Sequence, residues 1–165
     1  MKRAKTEWID KKTGLLVSFI TNEGEQIDGA PVKGSYSALN CSYLTYLDED
    51  FAHQQYNRLK GTFLKDGLVV GFKEYHNHDY LCTFDIDAGP ILFGLSPSGT
   101  AFAMGAVTYF NDSTLRTSLL TTAEIAGQTL HSNGQRHYAL ADVAIVGEAI
   151  MLAMRTHYKE NTIAQ

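Results

Sequence analysis

Cysteine, proline and tryptophan are scarce in this chain of 165 residues, which holds 2 Cys, 3 Pro and 1 Trp. Cys41 and Cys82 stand far apart, so a disulfide framework and a paired CxxC metal site are both excluded. We expect two reduced, buried thiols in a cytoplasmic protein, because free cysteine is among the residue types most often buried.

Long apolar runs and concentrated basic charge are also missing. The apolar run near the N-terminus, at 15–20, is shorter than a signal-peptide core and far shorter than a membrane span. The 14 basic and 18 acidic side chains give a formal net charge of -4, and basic residues gather only at Lys2, Arg3 and Lys5. We therefore predict no membrane segment and no nucleic-acid binding, since phosphate neutralisation needs a concentrated basic surface.

The glycines carry no phosphate-binding pattern. The stretch 94–105 has neither a GxGxxG motif after a strand nor a Walker-type GK[ST] motif. The sequence therefore predicts no nucleotide site, and we expect no cofactor.

Hydrophobic residues make up 44% of the chain and charged residues 19%, which is typical of one globular domain with a single core. Spacing and turn residues predict a mainly α protein built from antiparallel helix hairpins with short β-hairpin insertions. Within a single domain at 1–165, the predicted order is an irregular or β lead-in at 1–34, a first helix pair at 35–66, a β-hairpin and loop at 67–95, a second helix pair at 96–132 and a last helix at 138–160.

Apolar side chains at helical spacing predict the buried faces of the helices. In the first helix they are Leu39, Tyr43, Tyr46 and Leu47. In the second, which Asp48 caps, they are Phe51, Gln55, Leu59 and Phe63. After a loop at 96–99 and a helix at 100–110, a further helix carries Leu115, Leu119, Ala123 and Ala126. It is expected to stop at 131–134, with Gly134 as the left-handed residue after its end. The last helix is expected from about Asp142, with Val143, Val146, Gly147, Ile150 and Met154 on one face.

Two β-prone stretches, 68–75 and 80–86, flank the turn-like sequence 76–79, and we predict a β-hairpin from them. A third β-prone run, at 15–21, lies between turn residues and predicts a short hairpin or irregular lead-in.

The two helix pairs form a weak internal repeat. When Ser35 is laid on Ser98, the sequence Thr45-Tyr46-Leu47-Asp48 falls on Thr108-Tyr109-Phe110-Asn111. Repeated helix pairs indicate a solenoid or a closed α/α toroid. The small residues of "SGTAFAMGA" fit a helix crowded on several sides, as in the inner ring of a toroid.

The order of motifs is specific enough to suggest a family. "IDKKTGLLVSFI", a Gly-Ser helix, "DEDFAHQQYNRLKGTF", "GFKEY", "DIDAGPILFG", "TAFAMGAV" and "AEIAG" follow one another over residues 8–158. This order resembles the linalool dehydratase-like branch of the α/α-toroid superfamily, which also contains six-hairpin glycosidases and several polysaccharide lyases. The resemblance implies acid–base lyase or hydrolase chemistry on a carbohydrate or a small hydroxylated compound.

The chain is too short for a complete toroid. At about 40 to 47 residues for each helix pair, six pairs need roughly 240 to 280 residues, and about two and a half pairs fit here. We therefore expect an incomplete α/α toroid, corresponding to the C-terminal portion of the ring. An open arc exposes the ends of its helix stack, so we expect a homo-oligomer or a missing upstream half of the toroid.

The stretch 74–90 concentrates the candidate chemistry just before a predicted inner helix, at what would be the mouth of the toroid. The predicted catalytic residues are the carboxylates Glu74, Asp85 and Asp87, one of which would act as general acid or base. The predicted substrate-binding residues are Tyr75, His76, Tyr80, Tyr36 and Tyr43. Strand alternation would place Glu74, His76 and His78 on one face, and Thr83, Asp85 and Asp87 on another.

Simpler interpretations accompany these predictions. Asp85 and Asp87 could cap backbone N–H groups around the "AGP" turn. His76, His78 and Asp79 could chelate zinc or form a solvated turn, and Cys82 could be a nucleophile or an inert buried thiol. The remaining histidines are expected at surfaces or helix ends: His53, His131, His137 and His157. Most of the helix aromatics are expected in the core: Tyr36, Tyr43, Tyr46, Phe102 and Tyr109.

Three classes of function remain open at this point, of which the last is a metal-binding protein. In the leading hypothesis the chain is a toroid enzyme, which requires Glu74, Asp85 or Asp87 to line a concave pocket with aromatic walls. In the rival hypothesis it is a non-catalytic helical-repeat module for self-association or partner binding, in which both aspartates are used as backbone caps.

Overall fold

Helices supply most of the regular structure, as expected for a mainly α protein. The computed structural model describes residues 1–78, 80–132, 134–139 and 145–160. Within these ranges the helices are α1 (Lys2–Glu7), α2 (Gly34–Leu44), α3 (Glu49–Phe63), α4 (Pro97–Tyr109), α5 (Ser113–Gly127) and α6 (Ile145–Arg155). Every helix in the described part of the chain is too short or too polar to cross a membrane.

The strands of the described residues form three antiparallel two-stranded sheets. Strand β1 (Leu64–Lys65) pairs with β2 (Gly71–Phe72), β3 (Cys82–Asp85) with β4 (Gly89–Leu92), and β5 (Thr129–Ser132) with β6 (Gln135–Tyr138). In each pair the second strand follows the first along the chain, so all three sheets are local hairpins between helices.

Helix α4 lies at the centre of the packing. It packs most extensively on α2 and α6, while α3 packs on α2 and α5 on α4. The close approach depends on small side chains: a Cβ added at Gly105 would lie 2.4 Å from the Ser42 hydroxyl oxygen. The crowding expected for "SGTAFAMGA" is thus observed, and the core beside it contains Tyr56, Leu59, Phe63, Met104 and Val107.

Helix α3 follows its sequence pattern closely. It begins after Asp48, whose carboxylate accepts a hydrogen bond from the Phe51 amide at 3.1 Å. It buries Phe51, Gln55, Leu59 and Phe63, the four residues predicted for its inner face.

The predicted apolar face of α2 is wrong. Tyr43, Tyr46 and Leu47 are exposed, and the last two lie beyond the end of the helix. The buried face consists of small residues instead: Gly34, Ser35, Ser37, Ala38, Cys41, Ser42 and, as the largest, Leu44. Large side chains would hold α4 too far away.

The predicted hairpin between 68–75 and 80–86 is also wrong. Strand β2 pairs with β1, whereas β3 pairs with β4 around a turn at 86–88. The Asp85 carboxylate accepts hydrogen bonds from the amides of Asp87 and Ala88, both at 2.9 Å, and Gly89 takes a left-handed φ of 77°. These local bonds make "DIDAG" a hairpin turn rather than the residues just before a helix.

The boundaries of the second helix pair differ from the prediction at both ends. Helix α4 begins at Pro97, within the predicted loop, because Ser96 caps the Gly99 amide at 3.0 Å and proline suits the first turn. Helix α5 ends at Gly127, where Gln128 is left-handed (φ 48°). Gly134 has a positive φ of 75° but lies beside β6, not after a helix.

The N-terminal lead-in and the start of the last helix also differ from the prediction. The lead-in contains α1, which was not predicted, while the run 15–21 contributes only isolated bridges such as Ile9 to Leu16. Residue 138 belongs to β6 rather than to the last helix. Asp142 and Val143 lie outside the described residues, and α6 is described from Ile145.

The internal repeat shifts by one residue at the second cap. Asp48 was aligned with Asn111, but the residue that caps α5 is Asp112, whose carboxylate accepts from the Leu115 amide at 3.3 Å. Asn111 occupies a left-handed position (φ 54°), which asparagine tolerates better than most residues. The extra residue is thus accommodated in the turn.

Candidate functional site

A buried lysine at the start of α2 holds two of the predicted carboxylates. Lys33 immediately precedes Gly34, and its Nζ atom donates to Asp85 Oδ1 and Oδ2 at 3.0 and 2.9 Å and to Asp87 Oδ2 at 2.7 Å. Lys33 and Asp85 are buried, whereas the Asp87 side chain is 38% exposed. We call Lys33, Asp85, Asp87 and Tyr75 the lysine cluster.

Asp85 has its hydrogen-bonding positions occupied. Besides Lys33 and the two turn amides, it accepts a hydrogen bond from the Tyr75 hydroxyl. Ser98, in the first turn of α4, donates to the Ala88 carbonyl at 2.9 Å. The lysine cluster therefore links the start of α2, the β3–β4 turn and the start of α4.

The pKa values of Asp85, Lys33 and Tyr75 lie away from neutrality. Burial alone would raise the pKa of Asp85, but hydrogen bonds from Tyr75 and Lys33 hold that pKa well below its usual range. Burial alone would lower the pKa of Lys33, but its bonds to Asp87 and Asp85 raise it. Burial and the bond to Asp85 raise the pKa of Tyr75 to about 12. At neutral pH Lys33 and Asp85 are therefore charged and Tyr75 is neutral, unlike a general acid or base with a pKa near the working pH.

Glu74 caps α2 from outside the helix. Its side chain is fully buried, and its Oε1 atom accepts from the Ser35 hydroxyl at 2.8 Å, while Oε2 accepts from the Ser35 amide at 3.3 Å. The Glu74 carbonyl also accepts from the Gly34 amide at 2.9 Å. A carboxylate at a helix N-terminus satisfies otherwise unpaired amides and complements the helix dipole. Gly34 is required here, since a Cβ would lie 1.8 Å from the Lys73 carbonyl oxygen.

Of the predicted aromatic residues, Tyr75 belongs to the lysine cluster, and Tyr36 and Tyr80 lie beside it. The Tyr36 ring lies 6.0 Å from Lys33 Nζ and 5.3 Å from the ring of Phe19. Tyr75 makes an edge contact with Tyr80 at 5.9 Å. The rings of Phe19 and Tyr36, with centroids 5.6 and 6.0 Å from Lys33 Nζ, provide a favourable environment for a buried cation.

Tyr43 and His76 are not part of this arrangement. Tyr43 lies close to the other end of α2, about 14 Å along the axis from Gly34 at 1.5 Å per residue. The His76 ring makes an edge contact with Phe63 at 5.8 Å. The strand that was expected to align Glu74, His76 and His78 ends at Phe72.

The enzyme hypothesis requires Glu74, Asp85 or Asp87 to line a pocket, and the module hypothesis requires both aspartates to cap the backbone. Cavities of about 310 and 80 Å³ open on the described part of the chain, and neither is lined by Glu74, Asp85 or Asp87. Asp85 caps backbone amides, whereas within the part of the chain that the structure describes Asp87 accepts from Lys33 and from no backbone amide. The catalytic and substrate-binding roles remain predictions.

The structure also bears on the predictions made for the cysteines, the metal site and the histidines. Cys41 is buried, and burial raises the pKa of its thiol, whereas Cys82 is exposed, contrary to expectation. Among the described residues, His, Cys, Asp and Glu do not gather into a group that could hold a metal ion, and Asp79 lies outside those residues. His131 and His137 lie on strands rather than helix ends.

Most of the helix aromatics are less buried than expected. Tyr43 and Tyr46 are exposed, and the others are half-buried: Tyr36, Phe102 and Tyr109.

Sequence reasoning missed Lys33 and His157. Lys33 lies 52 residues from Asp85 along the chain, and its only local signal is a charged residue directly before a run of small buried ones. His157 is half-buried, with both ring nitrogens in hydrogen bonds. Comparison of the chain with models of protein families and with curated proteins gave no match.

Proposed function

We propose that the chain forms an arc of an α/α toroid. The proposal is supported by the row α2, α4 and α6, against which α3 and α5 pack as partners of the first two. Both pairs begin with a helix rich in small residues and continue with a helix capped by aspartate, Asp48 or Asp112. In a toroid the row would be the inner layer, and its two ends would need further helices.

We further propose that the arc serves as a self-association module. The observation that carries this proposal is the outward face of the β3–β4 hairpin. Ile91 and Asp85 point inward and are buried, so strand alternation turns Cys82, Phe84, Pro90 and Leu92 outward, and all four are exposed. Phe84 is 72% exposed, and Ile86 at the turn is 92% exposed.

An exposed apolar hairpin face of this kind marks an interaction surface. A two-stranded hairpin gains stability by packing its apolar face, and in the described residues β3 has β4 as its strand partner, which leaves an edge for pairing. A second copy of the chain offers the same face and the same edge. A two-fold symmetric contact would cover both.

Light scattering over a range of chain concentrations tests the self-association. The unmodified chain should give a mass above that of the monomer, and Phe84→Ser with Leu92→Ser should return it to the monomer. Leu68→Ser is the matched control, because Leu68 is a fully exposed apolar residue outside the hairpin, and it should leave the mass unchanged. A monomeric unmodified chain at every concentration contradicts the proposal.

A second candidate function is acid–base lyase or hydrolase chemistry on a carbohydrate or small hydroxylated compound. Asp87 favours it, because this carboxylate is partly exposed at the shared starting end of two neighbouring helices and contacts a buried ammonium group. Asp87 would act as the general base and Tyr80, which contacts Tyr75 of the same cluster, would bind substrate, whereas Asp85 and Glu74 would be structural.

An Asp87→Asn variant tests the catalytic role. Its turnover of a panel of polysaccharides and small alcohols should fall strongly while its melting temperature stays near that of the unmodified chain. An unmodified chain inactive on the whole panel, or an equally active variant, argues against this second function.

A further inference from the structure

A cavity of about 310 Å³ lies at the opposite end of the helix row from the lysine cluster. Thr45 and Tyr46 follow α2, Tyr109 is the last residue of α4, and His157 and Tyr158 follow α6. All three helices of the row therefore end at the same cavity. Its volume is at the lower end of the range for small-molecule sites.

A chain of hydrogen bonds fixes the tautomer of the neutral His157 ring. The Thr45 hydroxyl donates to the Ser42 carbonyl at 2.6 Å, so its only hydrogen is used. Thr45 Oγ1 must then accept from His157 Nε2–H, at 2.9 Å. In the neutral ring Nδ1 is an acceptor, so the Tyr46 hydroxyl donates to it, at 3.0 Å.

This chain leaves the Tyr46 oxygen as an acceptor toward the cavity. Its hydrogen points at His157, while the side chain is 72% exposed and lines the opening. Glu160 contributes another acceptor, and the converging helix ends add partial negative charge. The one ammonium group among the described lining residues, Lys159, is paired with Glu49.

The walls are aromatic and held in place. His157 stacks on Tyr109 with ring centroids 5.3 Å apart and 28° between the planes. The Tyr158 hydroxyl accepts from Arg116 at 3.0 Å, and the guanidinium group lies over the Tyr158 ring at 5.7 Å. The cavity thus combines fixed apolar ring surface with hydrogen-bond acceptors at its mouth.

We propose that this cavity binds a small ring polyol the size of a monosaccharide. The hydroxyl groups of the ligand donate to the Tyr46 oxygen and to Glu160, and its C–H face lies against the Tyr109 and Tyr158 rings. Such a ligand has several donors and an apolar face on one compact ring, which matches the acceptors and the walls together. The inference does not depend on the self-association or catalytic proposals, because its residues lie at the other end of the helices.

Ligand-observed NMR on the full chain tests the site, with methyl glucoside and myo-inositol as probes. Both, or one of them, should show saturation transfer, and Tyr46→Phe should weaken binding about fivefold by removing one hydrogen-bond acceptor. Glu160→Gln should weaken binding too. Glu23→Gln is the matched control for Glu160→Gln, since Glu23 is an exposed glutamate that does not line the cavity, and it should bind as the unmodified chain does.

Several results would overturn the proposal. One is that neither methyl glucoside nor myo-inositol binds. Another is that Tyr46→Phe and Glu160→Gln both bind as tightly as the unmodified chain. Binding of tetramethylammonium without either polyol would mean that the acceptors select a cation. Binding lost in Asp87→Asn but kept in Tyr46→Phe would place the ligand at the lysine cluster instead.

Discussion

The two ends of the helix row hold polar groups in opposite ways. Where α2 and α4 begin, full charges are buried and occupy one another's hydrogen-bonding positions, as Lys33 and Asp85 do. Where the same helices end, neutral groups such as His157 and Tyr46 line an open cavity together with the charges of Lys159 and Glu160. Buried charges joined in this way stabilise one arrangement of the chain, whereas neutral groups at an opening remain accessible to a ligand.

The difference teaches that a density of ionisable residues is a poor guide to a binding site. Sequence reasoning concentrated on 74–90 because its carboxylates are so many. In the fold, Asp85 and Glu74 bind amides and hydroxyls of the protein itself. The residues with free surface at a cavity come from three separate helix ends that look ordinary in sequence.

Replacing Lys33 should have the largest effect on this comparison. Lys33→Met leaves buried Asp85 without its cation, and breaking one partner of a buried ion pair costs about 3 to 5 kcal/mol. We expect the free energy of unfolding, measured with urea, to fall by that amount. Lys12→Met, at an exposed lysine, is the control and should change it by less than about 0.5 kcal/mol. A loss below about 1 kcal/mol for Lys33→Met would mean that the cluster does not hold the helix starts together.

The next largest effect is expected from the Glu74 cap. Glu74→Gln removes the charge and replaces one acceptor oxygen by an NH₂ group, so Ser35 loses part of its bonding. A lost buried hydrogen bond costs about 1 to 3 kcal/mol, and we expect urea unfolding to register this loss. Asp28→Asn makes a comparable change at an exposed site and should be neutral. If both variants unfold alike, Glu74 does not cap α2.

Helices α3 and α2 show how much of the fold could be predicted from the sequence. Helix α3 was predicted well because its signals are local: Asp48 as a cap and Phe51, Leu59 and Phe63 at helical spacing. The buried face of α2 was missed because Ser35, Ala38 and Ser42 are small and do not form a repeating pattern of large apolar residues. The large residues that do follow helical spacing, such as Tyr43 and Tyr46, are exposed.

Candidate-site residues follow the same division. Asp85, Asp87 and Tyr75 come together because they are neighbours along the chain, and the sequence could indicate this. Lys33 joins them only through the packing of α2 beside the β3–β4 hairpin. His157 meets Thr45 across more than half of the chain. Neither contact leaves a signal within a single sequence.

Acid titration gives a smaller effect that sharpens the assignment of Asp85. Its pKa in the folded chain lies below the value of about 3.9 expected when unfolded. Its contribution to stability is therefore complete above about pH 4 and is lost as the pH falls through the folded pKa. The difference in unfolding free energy between the unmodified chain and Asp85→Asn should be constant near neutrality and shrink in acid. With Asp28→Asn as the reference, a difference that stays constant down to the acid limit would exclude Asp85 as the stabilised carboxylate.

The smallest effect is expected at the other end of the row, where His157 titrates. Burial lowers the pKa of His157 below its unfolded value of about 6.5. The unfolded chain then binds the proton more readily, so the contribution of His157 is complete above about pH 6.5 and is lost as the pH falls through the folded pKa. The other titratable groups that line the cavity are Tyr46, Tyr109, Tyr158, Lys159 and Glu160, and Lys159 pairs with Glu49. The melting temperature of the unmodified chain should fall slightly relative to His157→Gln between pH 7 and 5 while Asp85 still keeps its full contribution. Between pH 7 and 5 the melting temperature of Asp85→Asn should fall by the same amount as that of the unmodified chain, and the melting temperature of His157→Gln should stay constant. This pattern identifies His157 as the source of the fall. If His157→Gln shows the same drop, the two ends do not differ in the way their ionisable groups are held.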